Sequence, residues 1–302
     1  MNVSTIISNI RKEIETIKNT PSMDISVESN ILKVKALIRN LEALNTTDSY
    51  YSLMTLATEL SSVNISYEKE TSVFDYAEKY FEVVDVSKLM DVSKMTKEER
   101  EQVSCAYMVL ALSTKAGYKK YESMTACKLY ILSFIMSPTK EMLTEAVKEY
   151  ITNSEGVNYK EIKNAVDFSI KAGFYEAYVY NMLIASKEES ASLENAVDEF
   201  YKALADEDKK DAILMTVNQL MYNNLKVLEA EAERIGQFNP AVVPIYCIMF
   251  ITGNDLVALD LDAILMERPE YVETLKAMLS KDDLVKYVET VKELRKQKKE
   301  PN

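Results

Sequence analysis

The sequence predicts an all-α protein, and three observations lead to this prediction. The chain of 302 residues contains only five glycines, whereas average usage of about 7% would give roughly twenty. Glycine supplies the positive φ angles of tight turns, so a chain this poor in it has few β-hairpins. Good helix formers are abundant, and apolar residues recur at helical spacing. We expect an N-terminal antiparallel helical hairpin followed by an irregular multi-helix array, an α-solenoid-like arrangement of stacked helix pairs.

The N-terminal hairpin is predicted from the most regular apolar spacing in the chain. Two series of apolar residues each step by 4, 3, 4 and 3 positions, which is the a/d spacing of a coiled-coil seam. Their members are Val3, Ile7, Ile10, Ile14 and Ile17, and Val27, Ile31, Val34, Ile38 and Leu41. Pro21 breaks the helix between the two series, so we expect two helices joined by a short connection.

Two interpretations of this seam remain open. In the first, the hairpin packs on the rest of this chain. In the second, another chain completes the seam, and these ten residues are candidate interaction residues. A helix pair of little more than two heptads is too short to be stable alone in water, so one of the two packings is required.

A soft domain boundary is predicted just before Thr96. The sequence VDVSKLMDVSKM, Val84–Met95, is typical of a linker. Thr96 then begins a capping-box sequence with Glu99, in which each side chain accepts a hydrogen bond from the other residue's backbone N–H. We therefore predict an N-terminal domain, 1–95, and a helical array, 96–302, that ends in a short basic tail.

The stretch FSIKAGFYEAYVYNMLIA, Phe168–Ala185, indicates how the array is built. It carries five aromatic residues and one glycine. Gly173 follows an apolar helical pattern, and this is where helices commonly end with a left-handed residue. We predict that one helix ends there and the next begins near Tyr175; the alternative is an aromatic ligand platform. The sequence KAGY at 115–118 recurs as KAGF at 171–174, and such echoes favour stacked helix pairs.

Composition excludes several catalytic chemistries. The chain has no histidine, the commonest general acid–base group, so neither a Ser-His-Asp nor a Cys-His mechanism can be built within it. The nearest glycines, such as Gly236 and Gly253, are 17 residues apart, so a P-loop and a dinucleotide-binding GxGxxG are absent. The most suggestive acids are Asp255, Asp260, Asp262 and Glu267, but Asp260 and Asp262 diverge by roughly 200° on a helix. We predict no catalytic, cofactor-binding or metal-binding residue.

The charge balance bears on the partners. A formal net charge of −12 repels phosphate, which disfavours nucleic acid. The segment 186–211 has nine acids against four lysines, which predicts a solvated helix face or, alternatively, a docking surface for a basic partner. The C-terminal Arg295, Lys296, Lys298 and Lys299 either complement a helix dipole or contact an anionic partner.

Cysteine use and hydropathy favour a cytoplasmic protein. Cys105, Cys127 and Cys247 lie far apart in apolar surroundings, where thiols are commonly inert. We expect no secretory signal, because no basic segment precedes a long apolar stretch at the N-terminus. The longest apolar run, 241–252, has twelve residues, whereas about 20 are needed to span a bilayer. It is predicted to be a buried helix, and no membrane segment is expected.

These features favour a non-catalytic helical scaffold or adaptor, a subunit of a multisubunit complex or a virion. Its partner would be another protein or a second copy of the chain. The 15 methionines and 19 tyrosines suit interfaces. The alternative is a regulatory protein that binds a peptide or small ligand in a groove between helices. An enzyme acting through carboxylates, tyrosines or a Ser-Lys pair is less favoured.

Overall fold

The computed structural model of the chain is all-helical in the residues that it describes. These are 2–21, 24–67, 71–118, 121–153, 155–188, 190–236, 238–240 and 242–297, without the side chains of 190, 224, 227–229 and 231–235. Within these ranges the regular elements are 16 α-helices and two short 3-10 helices. Within each unit, most helices pack against a helix that is close to them in the chain. The prediction of an all-α multi-helix array is therefore confirmed.

The chain divides into two compact units, which are described separately. Unit 1 comprises Met1–Ala146 and Glu155–Val157, and unit 2 comprises Val147–Ser154 and Asn158–Asn302. The first helices are α1 (Val3–Asn19), α2 (Ile25–Leu44), α3 (Thr47–Ser61), α4 (Val73–Val83), α5 (Val86–Leu89), the 3-10 helix η1 (Val92–Lys94), α6 (Lys97–Lys115), α7 (Ala126–Met136) and α8 (Lys140–Thr152). The remaining helices are α9 (Tyr159–Lys171), α10 (Glu176–Ala185), α11 (Ser190–Leu204), α12 (Glu207–Ile235), α13 (Val242–Ile251), α14 (Val257–Glu267), the 3-10 helix η2 (Pro269–Tyr271), α15 (Val272–Met278) and α16 (Lys281–Gln297).

The first two helices of unit 1 form the predicted hairpin. The Asn2 side chain accepts a hydrogen bond from the Thr5 backbone N–H at 2.9 Å, and Asp24 accepts one from the Ser26 N–H at 2.8 Å. These caps satisfy backbone donors that have no partner within the helix. Both α1 and α2 also pack against α3. The hairpin therefore packs on the rest of unit 1, as the first interpretation of the seam requires.

The segment Val84–Met95, predicted to be a linker, contains two short helices, α5 and η1. The Asp85 and Asp91 side chains begin them by accepting hydrogen bonds from backbone N–H groups two residues later, at 2.9 and 3.3 Å. The boundary predicted before Thr96 falls inside unit 1, where α6 packs against α3 and α4. Independent folding of 1–95 and 96–302 stays a prediction.

Helix α6 begins at the predicted capping box and is held to α7 by two serines. Thr96 Oγ1 accepts a hydrogen bond from the Glu99 N–H at 3.2 Å, and Glu99 Oε2 accepts one from the Thr96 N–H at 2.8 Å. The Ser104 hydroxyl donates to the Ser133 carbonyl, and the Ser133 hydroxyl donates to the Ser104 carbonyl, each at 2.9 Å. Both serines are buried. Their reciprocal bonds offset the cost of removing two hydroxyls from water.

Helices α9 and α10 meet at the predicted corner. Gly173 follows the end of α9 with φ of 82°, a conformation that residues with a Cβ rarely adopt. The N–H of Gly173 donates to the Ile170 carbonyl, and the N–H of Phe174 donates to the Ser169 carbonyl, which is the Schellman pattern of a helix C-terminus. The same two bonds end α6 around Gly117. The KAGY and KAGF echo is therefore a repeated helix end.

The core of unit 2 is built around α13, the apolar run identified in the sequence. All nine residues from Val242 to Phe250 are buried, because α10, α12, α14 and α15 surround this helix. The prediction of a buried helix is confirmed. Within the described ranges no helix combines the length and the apolar character needed to cross a bilayer.

Candidate functional site

Most of the predicted interaction residues lie inside unit 1. Six of the ten are buried, namely Ile10, Ile14, Ile17, Val34, Ile38 and Leu41. They pack between α1, α2 and α3, so a partner chain does not reach them while this unit is folded. The other four, Val3, Ile7, Val27 and Ile31, are half-buried. For these four the role in binding stays a prediction.

The buried face of α1 follows a register that the sequence analysis missed. Its buried residues are Ile6, Ile10, Ile14 and Ile17, so Ile6 replaces Val3 and Ile7 at the N-terminal end. Val3 and Ile7, close to the N-terminus of α1, are only half-buried and line a groove between α1 and α3. The nearly complete burial of Ile6, which is 1% exposed, has no signal in the heptad pattern.

An open groove lies between α1 and α3, and we name it the α1–α3 groove. Its volume is about 540 Å³. It is lined by Val3, Ser4, Ile7, Ser8 and Arg11 from α1 and by Asp48, Tyr51 and Ser52 from α3. Two half-buried apolar residues of the predicted seam thus lie beside small hydroxyl side chains. The small serines leave room for an apolar surface to approach Val3 and Ile7.

The α1–α3 groove carries opposite charges at two separate points. The Arg11 guanidinium donates to the Glu59 carboxylate, with Nη2 at 2.9 Å and Nε at 3.1 Å from Oε1. Asp48 Oδ1 accepts a hydrogen bond from Gln102 Nε2 at 2.8 Å. Asp48 and Glu59 are eleven residues apart on α3, which corresponds to about 16 Å along the helix axis. A ligand that fills the groove therefore meets the Arg11–Glu59 ion pair and the Asp48 carboxylate roughly three turns apart.

Tyr51 adds a neutral hydroxyl to this groove. Burial, followed by the nearby Cys105 and Glu101, raises the pKa of Tyr51 above its ordinary value. The hydroxyl therefore stays protonated at physiological pH and can both donate and accept a hydrogen bond. The groove can therefore bind a ligand through apolar contact, hydrogen bonds and charged side chains.

The aromatic residues of unit 1 form a cluster that the sequence analysis did not identify. The Phe81 ring lies 4.6 Å from the Tyr107 ring and 5.5 Å from the Tyr121 ring, and Phe74 stacks on Tyr118 at 5.9 Å. Burial, together with nearby acids, raises the pKa of Tyr121 to about 12. These rings join α4 and α6 to the turn after α6. Because the members are distant in sequence, spacing carried no signal for them.

A second groove in unit 2, the α9–α12 groove, has a volume of about 550 Å³. Its acids are engaged within the unit, since Asp167 pairs with Lys163, Asp206 pairs with Lys209, and Glu199 accepts from Asn181. Lys171 and Lys202 also line the groove, with Tyr178. Among the described residues neither lysine has an ion-pair partner. The groove therefore offers two cations to a ligand.

The acids singled out in the sequence are dispersed. Asp262 accepts from Arg295, and Asp255 lies 2.7 Å from Lys286. Among the described residues no three cysteine, aspartate or glutamate side chains are grouped to hold a metal ion. In the acidic segment 186–211, Leu193, Ala196, Val197 and Phe200 are buried while Glu194 and Asp198 are exposed, which is the arrangement of a solvated helix face. Lys298 and Lys299 of the predicted basic tail lie outside the described residues.

Comparison with known proteins assigns no family to the chain. No family model matches the sequence, and no curated protein matches it.

Proposed function

We propose that this chain is a non-catalytic helical scaffold and that its α1–α3 groove binds an amphipathic helix of a partner protein. The observation that most supports this proposal is the position of Val3 and Ile7. They are half-buried in an open groove, whereas most of their seam is buried in unit 1. Covering apolar side chains on binding is favourable. A helix that binds in a groove contributes apolar anchors at helical spacing, and Val3 and Ile7 supply the apolar surface that such anchors would contact.

The two charged points of the groove specify which charges the partner helix should carry and where. An acidic side chain near Arg11 and a basic side chain near Asp48 would complement the groove. Since the separation is about 16 Å, these side chains would lie about eleven residues apart on the partner. Complementary charges at a rim contribute to specificity and to the association rate more than to affinity. The apolar contact with Val3 and Ile7 supplies most of the affinity.

A matched pair of variants tests this site. Ser8→Arg places a long cation in the groove, and Thr16→Arg places the same side chain about two turns further along α1, outside the residues that line the groove. Both positions are exposed, so both variants should fold, which circular dichroism checks. Proteins that co-purify with the full chain would be quantified by mass spectrometry. We expect a partner that is retained by Thr16→Arg and lost with Ser8→Arg.

A direct binding measurement completes the test. The helix of that partner, made as a peptide, should bind the wild-type chain and should perturb the NMR signals of Val3, Ile7 and Tyr51. If both variants retain the same proteins, or if the peptide perturbs signals away from the groove, the proposed site is wrong.

The second candidate function is regulation by an anionic ligand in the α9–α12 groove. It is supported by Lys171 and Lys202, which line this groove and have no ion pair among the described residues. A panel of carboxylates and phosphates would be screened by thermal shift, since a ligand of the native state raises the unfolding temperature. A shift that disappears in Lys202→Met would favour this function. That the chain is not an enzyme stays a prediction.

A further inference from the structure

Helix α2 has a second apolar stripe that faces away from unit 1. Its inner face, with Val34, Ile38 and Leu41, is buried. On the opposite side Ile25 is 88% exposed and Leu32 is 63% exposed. Large apolar side chains this exposed on a helix that already buries one face indicate a second contact surface.

The exposed stripe has the spacing of a coiled-coil seam. Ile25, Ser29, Leu32 and Ala36 are all exposed and step by 4, 3 and 4 positions, which places them in a and d positions. Large and small residues alternate along it. Glu28 and Lys35 each precede one of the small residues and therefore flank the stripe. Among the described residues neither of these two charges has an ion-pair partner.

We propose that this stripe pairs antiparallel with the same stripe of a second copy of the chain. In the register that places a positions opposite d positions, Ile25 lies over Ala36 of the second copy, and Leu32 lies over Ser29. Each large side chain thus meets a small one. Glu28 faces Lys35 of the second copy. Two-fold symmetry repeats every one of these contacts, so a single helix face is complementary to itself in size and in charge.

This self-complementarity is the argument for a second copy as the occupant. A partner of unrelated sequence would need to match the size pattern and the charge pattern independently, whereas α2 already supplies both. The contact covers residues 25–36, about 18 Å of helix. A contact this short lies below the size of most stable interfaces. The dimer is therefore weak and depends on protein concentration.

Charge-swap variants test the pairing by sedimentation equilibrium over a range of concentrations. Glu28→Lys and Lys35→Glu each place like charges opposite one another twice, which should weaken the dimer about tenfold. An equimolar mixture of the two variants restores both opposite-charge pairs and should recover wild-type affinity. Leu32→Glu should give a monomer. Ser8→Arg, which changes only the α1–α3 groove, should dimerise like the wild type, so the outcome is independent of the proposed function.

Disulfide trapping tests the orientation. An equimolar mixture of Ile25→Cys and Ala36→Cys, oxidised under mild conditions, should give mainly the mixed disulfide, because antiparallel helices bring these two positions together. Predominant homodisulfides would show parallel pairing and would overturn the proposal. A wild-type chain that is monomeric at every concentration would also overturn the proposal. So would a dimer that Leu32→Glu leaves unchanged, or a mixture of the two charge-swap variants that does not recover wild-type affinity.

Discussion

The placement of the N-terminal seam inside unit 1 leads to a quantitative prediction about two isoleucines. Ile10 on α1 is 0% exposed, and Ile25 on α2 is 88% exposed. The substitutions Ile10→Ala and Ile25→Ala remove the same three carbon atoms from two helices of one hairpin. Only the environment of the deleted atoms differs, so the pair isolates the contribution of burial.

The expected magnitude follows from the number of atoms removed. At about 0.8 kcal/mol for each buried carbon group, three groups correspond to about 2.4 kcal/mol. The cavity left behind adds to this, so Ile10→Ala should destabilise the chain by about 3 kcal/mol, within the range of 2–5 for such deletions. At Ile25 the side-chain atoms of the monomer are already in water, and alanine favours the helix slightly. Ile25→Ala should change the stability by less than about 0.5 kcal/mol.

Urea denaturation followed by far-ultraviolet circular dichroism measures both changes. Because the chain has two units, the transition of unit 1 is identified as the one that the two substitutions shift. Thermal melts of the same variants give a second measure of the change. For a unit of about 150 residues, 3 kcal/mol corresponds to a decrease in Tm of roughly 6–12 °C. Equal effects of the two substitutions, or a loss below about 1 kcal/mol for Ile10→Ala, would refute the packing of α1 described above.

Three further predictions concern other parts of unit 1. Ser133→Ala removes a buried hydrogen bond between α6 and α7 and should cost about 1 kcal/mol, whereas Ser133→Val should cost more through overpacking; equal urea midpoints for wild type and both variants would contradict this role. The hydrogen bond from Lys88 lowers the pKa of Glu99, so the contribution of Glu99 to stability is present above its unfolded pKa and is lost as pH falls through the lower folded value. Carbon-13 NMR should show a higher pKa for Glu99 in Lys88→Met, and an unchanged titration would exclude this effect of Lys88. Partial burial raises the pKa of the half-buried Cys105 thiol to about 11, so a thiol reagent at neutral pH should label it more slowly in the folded chain than after unfolding. Equally rapid labelling of the folded and unfolded chain would contradict this protection.

Helix ends were the most predictable part of the fold. The capping box of Thr96 and Glu99 forms as expected, and Gly173 ends α9 in a left-handed conformation. These features depend on hydrogen bonds between residues at most five positions apart, so the information needed lies in the local sequence. The structure of the segment before Thr96 was harder to predict, because the short helices α5 and η1 have too few residues to show a periodic pattern.

The candidate site was predictable only in part. Val3 and Ile7 were identified by spacing, but their neighbours in the α1–α3 groove, Asp48 and Tyr51, are more than 40 residues away in the sequence. The outward stripe of Ile25 and Leu32 was missed because the inner stripe of the same helix is more regular. The spacing of apolar residues can show that a helix has two apolar stripes. It does not show which of the two stripes is buried against the rest of the chain.

The sequence by itself determined that this chain is helical, where several of its helices begin and end, and which catalytic motifs it lacks. Those properties follow from backbone conformation and composition, which act over a few residues. Tertiary structure decided which apolar residues became core and which remained exposed on α2 and in the α1–α3 groove. The reason is that burial requires a partner surface, and α3 brings that surface to α1 from far along the chain, as the contact between Arg11 and Glu59 illustrates.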